Sequence, residues 1–126
     1  MNGGVFTGTS GPSTPTVAGY TETVIPKRTV GAAATLSIGG GTVLTATLTS
    51  STPCTFTMPT PIAGKSFMLL LKQATSGTAT TATFTGVKWP TIGAPIITAT
   101  VGKMDVLSFG SDGINWYGAI AQGYTP

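Results

Sequence analysis

The sequence contains no histidine, only three acidic residues and a single cysteine. Without histidine the chain cannot build a Ser-His-Asp triad or an imidazole metal site. The only candidates for a pair of convergent carboxylates, as glycoside hydrolysis requires, are Asp105 and Asp112. Asp112 is better explained as a turn residue, while Asp105 opens a strand, where its side chain can accept backbone hydrogen bonds from a neighbouring loop. We therefore predict that the protein is not an enzyme and uses no cofactor or metal.

Charge is equally scarce. Charged residues make up 7% of the chain, against about 25% in a typical soluble domain. A surface this neutral is poorly protected against association, which is typical of a protein inside a large assembly, a very stable oligomer or a sticky extracellular module. The net charge of +3 is small and scattered, with Lys27 and Arg28 as the one adjacent basic pair. We expect no direct nucleic-acid binding.

Long apolar runs and paired cysteines are also missing. The longest apolar run, residues 67–71, is far shorter than a membrane span. Cys54 has no second cysteine to pair with, and its alternation with Phe56 and Met58 predicts a small buried hydrophobic residue. Residues 1–19 lack the basic start and apolar run of a secretory signal. We expect a protein that is made in the cytoplasm, has no membrane contact and reaches any external location as part of a larger object.

The chain is rich in residues that form and interrupt strands, with 26 threonines, 18 glycines and 9 prolines. Period-2 alternation from about residue 30 predicts seven or eight short strands, with turn signals roughly every 8–12 residues. No stretch shows convincing helical periodicity. We predict an all-β fold, a compact antiparallel β-sandwich of jelly-roll type. The predicted strands cover residues 32–38, 42–49, 54–58, 66–72, 79–85 and 96–101, followed by a hairpin from 103 to 120.

Two of these strands carry specific predictions. In residues 42–49 the apolar positions Leu44, Ala46 and Leu48 should all face one way, with threonines on the other side. Residues 66–72, SFMLLLK, are apolar on both faces. Such a strand should be central in its sheet and covered on both sides.

The closing hairpin has the densest combination of β pattern, turn chemistry and aromatic residues. Its first strand should direct Asp105, Leu107 and Phe109 to one side. The turn at residues 110–113 contains an Asp-Gly pair, which favours the positive φ angles of a hairpin. Of Trp116 and Tyr117 in the second strand, one should face the core and the other a sheet surface or a subunit contact.

Residues 1–29 form a separate block, rich in glycine, serine and proline. We predict an extended N-terminal attachment arm over residues 1–29, followed by the β-sandwich domain over residues 30–126. The alternative is an arm packed on its own domain. The apolar residues of the arm are spaced like anchors on a neighbouring surface, and the predicted partner-binding residues there are Val5, Phe6, Val17, Tyr20 and Ile25.

Trp89 lies in an irregular segment, residues 86–95, that is rich in glycine and proline. It precedes a proline, which favours an extended backbone. We predict that Trp89 contacts either a partner subunit or a glycan.

Three segments in the second half of the chain resemble a known family. They are V-K-W-P at residues 87–90, P-I-I-T-A-T-V-G-K-M-D at 95–105 and L-S-F-G-S-D-G-I-N-W-Y-G at 107–118. Together with the alternating threonines at 44–49, this order is similar to a small all-β domain of tailed-bacteriophage structural proteins, found in capsid decoration proteins, head fibres and tail fibres. The resemblance covers roughly residues 35–120. It implies a compact β-sandwich, commonly trimeric, without catalysis or cofactor, and it fixes no binding residues.

The function that the resemblance implies is that of a virion structural protein. Because the chain has no shaft, repeat or coiled coil, we expect a capsid decoration or cement protein rather than a fibre tip. It would form a homotrimer and bind the major capsid protein or another virion protein non-covalently, through its arm and its sandwich. The alternative is a tail-fibre or baseplate-associated adaptor that contacts a host glycan through the loop at residues 86–95. A third class is a non-viral adhesin or an enzyme accessory module.

Overall fold

The computed structural model describes residues 18–126, apart from the side chains of residues 26 and 27. These residues form nine strands in two sheets and no helix. It follows that this part of the chain has no helix that could cross a membrane. The strands are β1 (Val24–Val30), β2 (Ala33–Thr35), β3 (Val43–Leu48), β4 (Cys54–Thr57), β5 (Ser66–Lys72), β6 (Ala82–Thr85), β7 (Val87–Lys88), β8 (Met104–Ser111) and β9 (Trp116–Tyr124).

The chain winds through about three turns of a β-solenoid. Successive strands alternate between the two sheets, so that β1, β3 and β5 stack in one sheet and β2, β4 and β6 in the other. Each of these neighbouring pairs is parallel. The prediction of an all-β chain is therefore confirmed for the described residues, but the prediction of an antiparallel, jelly-roll-like sandwich is wrong.

The turns explain the error. The segments 31–32, 49–53 and 73–81 each lead from a strand of one sheet to a strand of the other, rather than back along the same sheet. Such corners use the same glycine, serine and proline residues as hairpins. The coils also differ in length, because position 43 pairs with position 24, 19 residues earlier, and position 68 pairs with position 43, 25 residues earlier. No fixed period therefore marks the solenoid in the sequence.

An antiparallel hairpin follows the last coil. Strand β8 pairs antiparallel with β5, and β9 pairs antiparallel with β8, giving a six-stranded sheet in the order β1-β3-β5-β8-β9-β7. The hairpin prediction is confirmed, with Leu107 and Phe109 buried on the inner face, but the connection lies at residues 112–115 rather than 110–113. Trp116 is buried, whereas Tyr117 is half exposed on the sheet surface.

The core lies between the two sheets and consists of rows of side chains that run from coil to coil. One row passes from Leu44 through Leu69 to Leu107, all buried. On the opposite sheet Phe56 stacks on Phe84 with ring centroids 5.0 Å apart. The predicted inward positions of β3 are confirmed by its alternating burial.

Cys54 belongs to the same core and is buried as predicted. Burial raises the pKa of its thiol above the usual value, and the nearby positive charge of Arg28 offsets part of that rise. The thiol is therefore protonated at neutral pH and behaves as a small apolar side chain.

Strand β5 is expected to be central in its sheet and covered on both sides, and only the first of these is confirmed. It is central, with β3 on one side and β8 on the other. Its inner face is buried, but on the outer face Met68 is 38% exposed. The second cover that its sequence predicts is not provided by residues 18–126.

The predicted boundary between arm and domain, at residues 29 and 30, falls inside β1. This strand lies at one edge of the six-stranded sheet, and its pairing with β3 shifts register between Ile25 and Arg28. The irregularity contains Pro26, which has no N–H to donate and is tolerated at a sheet edge. The Arg28 guanidinium donates to the carbonyl of Thr35 in β2 at 3.2 Å, which joins the first strands of the two sheets.

The stacked aromatic row allows a direct test of the core. We expect Phe56→Ala to lower the free energy of unfolding by about 3–5 kcal/mol, because it removes a fully buried ring and leaves a cavity. The neighbouring Thr55→Ala, on the exposed face of the same strand, should change it by less than about 0.5 kcal/mol. Urea unfolding followed by tryptophan fluorescence measures both. Equal losses in the two variants would contradict the inward assignment of Phe56.

The hairpin loop predicts a dependence of stability on pH. The amides of Asn115 and Ile114 donate to the Asp112 carboxylate, each at 2.8 Å, and these bonds, led by that of Asn115, lower the pKa of Asp112 below its usual value. A carboxyl with a lowered pKa in the folded state stabilises the fold above its unfolded pKa, and this contribution disappears as the pH falls through the folded value. We expect the stability difference between wild type and Asp112→Asn to shrink as the pH drops below about 4, measured by urea unfolding at each pH. A difference that stays constant under acidic conditions would show that these bonds do not stabilise the charged form.

Candidate functional site

An apolar groove on the surface beside β9, here called the Trp89 groove, is the candidate binding site. It has Trp89 as its floor, residues 90–96 as one wall and residues 118–122 of β9 as the other. Its volume of about 530 Å³ lies within the range of ligand-binding clefts. A smaller cavity of about 130 Å³ lies between the sheets and is lined largely by core residues such as Leu44, Phe56 and Leu69.

The groove exists because β7 is much shorter than β9. Strand β7 pairs with β9 only at Val87 and Lys88, which lie opposite Trp116 and Tyr117. The chain then turns away at Trp89 and Pro90, whereas β9 continues to Tyr124. Within the described part of the chain, β9 beyond Tyr117 therefore has no strand neighbour on that side. Such an edge offers backbone N–H and C=O groups to an added strand.

The floor of the groove is held by aromatic packing. The Trp89 ring meets Phe84 and Phe109 edge-on, with centroids 6.1 and 6.0 Å away. A Cβ on Gly118 would lie 2.5 Å from the Trp89 ring, so the absence of a side chain at position 118 allows the indole to lie against β9. Trp89 is thus half-buried, with one side against the core and the remainder lining the groove.

The wall at residues 96–98 is held by side chains instead of a strand ladder. Asp105 accepts the Thr98 amide at 2.7 Å and the Thr98 hydroxyl at 2.6 Å. Gln122 donates its side-chain amide to the carbonyl of Ile96 at 2.6 Å. The predicted strand at residues 96–101 is therefore wrong, because these side chains take the backbone groups that a ladder would use. The predicted role of Asp105, accepting backbone hydrogen bonds from a neighbouring loop, is confirmed.

Gln73 is a structural residue that the sequence pattern did not single out. Gln73 lies between the predicted strands 66–72 and 79–85, yet it is buried, donates to the carbonyls of Thr80 and Thr98, and accepts the Thr80 amide. One feature of the sequence could have predicted its burial. Gln73 continues the alternation of inward residues in β5, which are Phe67, Leu69 and Leu71. A glutamine buried in this way joins three segments and supports the groove wall.

The chemistry of the groove suits an extended apolar segment of protein. Two isoleucines on its rim are almost fully exposed, Ile92 at 95% and Ile96 at 81%. An aromatic floor, an aliphatic rim and an unpaired strand edge are what strand addition requires. A glycan would need several convergent polar side chains, whereas the one side-chain amide lining the groove, that of Gln122, already donates to Ile96.

Of the other predicted partner-binding residues the structure describes Tyr20 and Ile25, and neither lines this groove. Val5, Phe6 and Val17 lie outside the described residues. Tyr20 is 68% exposed, and Ile25 in β1 is partly buried against the core. Strand β1 lies at the opposite edge of the six-stranded sheet from β7.

Comparison of the chain with protein-family models, with curated proteins and with solved structures found no match. The resemblance to bacteriophage structural domains therefore stays a prediction, and the sandwich that it implied is contradicted by the solenoid.

The close approach of Trp89 to Gly118 can be tested with a matched pair of glycines. We expect Gly118→Ala to displace the indole, lower stability by about 1–3 kcal/mol and change the tryptophan emission spectrum, since the new methyl group overlaps the ring. Gly110→Ala in β8 is the control, because a Cβ there meets nothing within 4 Å. Urea unfolding and fluorescence spectra measure both effects. If Gly118→Ala matches Gly110→Ala in both, the described packing of Trp89 is incorrect.

Proposed function

We propose that this protein is a structural attachment protein that binds non-covalently to another protein of a large assembly. More specifically, we propose a bacteriophage virion protein that decorates or cements the capsid, with the major capsid protein or another virion protein as its partner. The observation that carries the proposal is the Trp89 groove, an apolar cleft with exposed isoleucines beside an unpaired strand edge.

The energetics of the groove support attachment. Burying an exposed aliphatic side chain contributes about 1.5–3 kcal/mol. Covering Ile92 and Ile96 therefore contributes about 3–6 kcal/mol, which corresponds to roughly 10²-fold to 10⁴-fold in affinity at about tenfold per 1.4 kcal/mol. The low charge of the chain, 7% of residues, adds little electrostatic opposition to such contacts. A decoration protein repeats this contact at many sites on a shell.

The predicted arm is the second element of the proposal. Residues 24–29 are part of β1, so any strap is formed by the residues before β1. The proposed anchors there are Val5, Phe6, Val17 and Tyr20, and several copies of the chain would associate as a homotrimer. The arm and the groove would then contact the shell independently.

A tail-associated adaptor that contacts a host glycan is the second candidate. The observation in its favour is the half-buried indole of Trp89, whose remaining surface lines the groove. The shortage of convergent polar side chains in the groove favours the protein partner instead.

The exposed isoleucines provide a matched test. We expect purified wild-type chain to co-sediment with phage particles assembled without it, and Ile96→Lys to weaken this binding at least tenfold, because a charge on the rim must be desolvated. Ile114→Lys is the control, since Ile114 is 79% exposed but lies outside the groove. The same assay on a chain without residues 1–17 measures the contribution of the arm.

Two outcomes would reject attachment through the groove: particles that fail to bind wild type, or a folded Ile96→Lys variant that binds as well as Ile114→Lys. Binding to a glycan array that is lost in Trp89→Ala, without binding to particles, would favour the tail adaptor.

A further inference from the structure

The outer face of the six-stranded sheet is apolar where a solvated sheet carries polar side chains. On three neighbouring strands the outward positions include Val43, Met68, Leu70, Met104 and Val106, here called the outer apolar face. A sheet with one face in water normally alternates apolar inward residues with polar outward ones. Strands β5 and β8 instead carry apolar side chains on both faces, and their other outward positions are Ser66, Lys72, Ser108 and Gly110. Apolar residues on both faces are typical of strands that are covered twice.

The strand register makes these residues a continuous patch. Leu70 lies directly opposite Val106 across the β5–β8 pair, and Val43 lies opposite Met68 across the β3–β5 pair. Cross-strand neighbours of this kind have Cβ atoms about 4.5–5.5 Å apart. The side chains therefore form one surface.

The three-stranded sheet does not have an apolar outer face. The outward positions of the three-stranded sheet are all alanine or threonine, and all are exposed: Ala33, Thr35, Thr55, Thr57, Thr83 and Thr85. Both outer faces belong to the same solenoid and are built from strands of the same chain. Strand propensity alone therefore does not account for methionine, leucine and valine on the outside of one sheet only.

We propose that the outer apolar face is the surface through which copies of this chain associate. A face that turns towards the symmetry axis of an oligomer lies near the same face of the other copies, so any charge on it lies near charges of the same sign. Across β3, β5, β8 and β9, Lys72 is the one charged side chain at an outward position, and it lies at the end of β5. The face thus avoids self-repulsion and offers little to a partner that is recognised by charge.

The size of the sheet fits an interface with another copy of the chain. The outer sides of β3, β5, β8 and β9, strands about 4.8 Å apart and about seven residues long, cover roughly 450 Å² in projection. Side-chain relief increases that area, and small specific interfaces bury about 600–800 Å² per partner. The inference names the surface for the self-association in the proposed function and rests on that part of it alone, not on the virion or the groove.

The test introduces two lysines on the outer face of each sheet, at positions that lie opposite each other in neighbouring strands. We expect the wild-type chain, in sedimentation equilibrium, to show a mass of two or more times 12.6 kDa. Leu70→Lys with Val106→Lys should weaken association at least tenfold and yield the 12.6 kDa monomer, because the lysines of the joined faces repel. Thr55→Lys with Thr83→Lys, which are partners on the three-stranded sheet, should leave the mass unchanged.

Circular dichroism checks that each variant is folded, and Leu70→Ser with Val106→Ser replaces the lysine pair if that pair misfolds. A wild-type chain that stays monomeric at all concentrations would overturn the inference. So would a folded variant of Leu70 and Val106 that keeps the wild-type mass, or equal weakening by the threonine-face pair. Ile96→Lys should keep the wild-type mass, so a failure of shell binding and a failure of self-association are separate results.

Discussion

The parallel register between successive coils is the constraint on which the rest of the structure depends. It aligns Leu44 with Leu69, continues to Leu107 in the hairpin, and stacks Phe56 on Phe84, so a narrow core becomes continuous from coil to coil. No single coil can bury its apolar face alone, because its inward side chains also pack against those of the coil above or below. The same register decides which residues face outward, and so it also determines the two outer surfaces.

The hairpin of β8 and β9 both ends the winding and creates the candidate site. It pairs antiparallel with β5, and β9 extends well past the two residues of β7. The groove is the space left beside this longer strand. Its wall is held at Thr98. The amide and hydroxyl of Thr98 donate to the Asp105 carboxylate, and its carbonyl accepts a hydrogen bond from the Gln73 side chain. An acidic residue that resembled a catalytic candidate in the sequence thus has a structural role, which supports an apolar surface.

The two proposed contacts use different parts of the molecule. The Trp89 groove lies along the edge of β9, whereas the outer apolar face spreads across β3, β5 and β8. Self-association through the sheet would therefore leave the groove open to a different protein. For a chain with so few charged residues, both contacts rest on apolar burial, and specificity must come from shape and strand register rather than from ion pairs.

The sequence by itself determined the local features. Period-2 alternation identified most strands and the inward residues of β3, and the Asp-Gly pair identified the closing hairpin, because side-chain parity and turn conformation depend on near neighbours. Apart from the closing hairpin, only the tertiary structure decided which strands pair. A corner between sheets and a hairpin within one sheet use the same residue types, and coils of unequal length leave no period to detect. The burial of Gln73, the position of Trp89 against Gly118 and the uncovered outer side of β5 all follow from that pairing, so local patterns could not predict them.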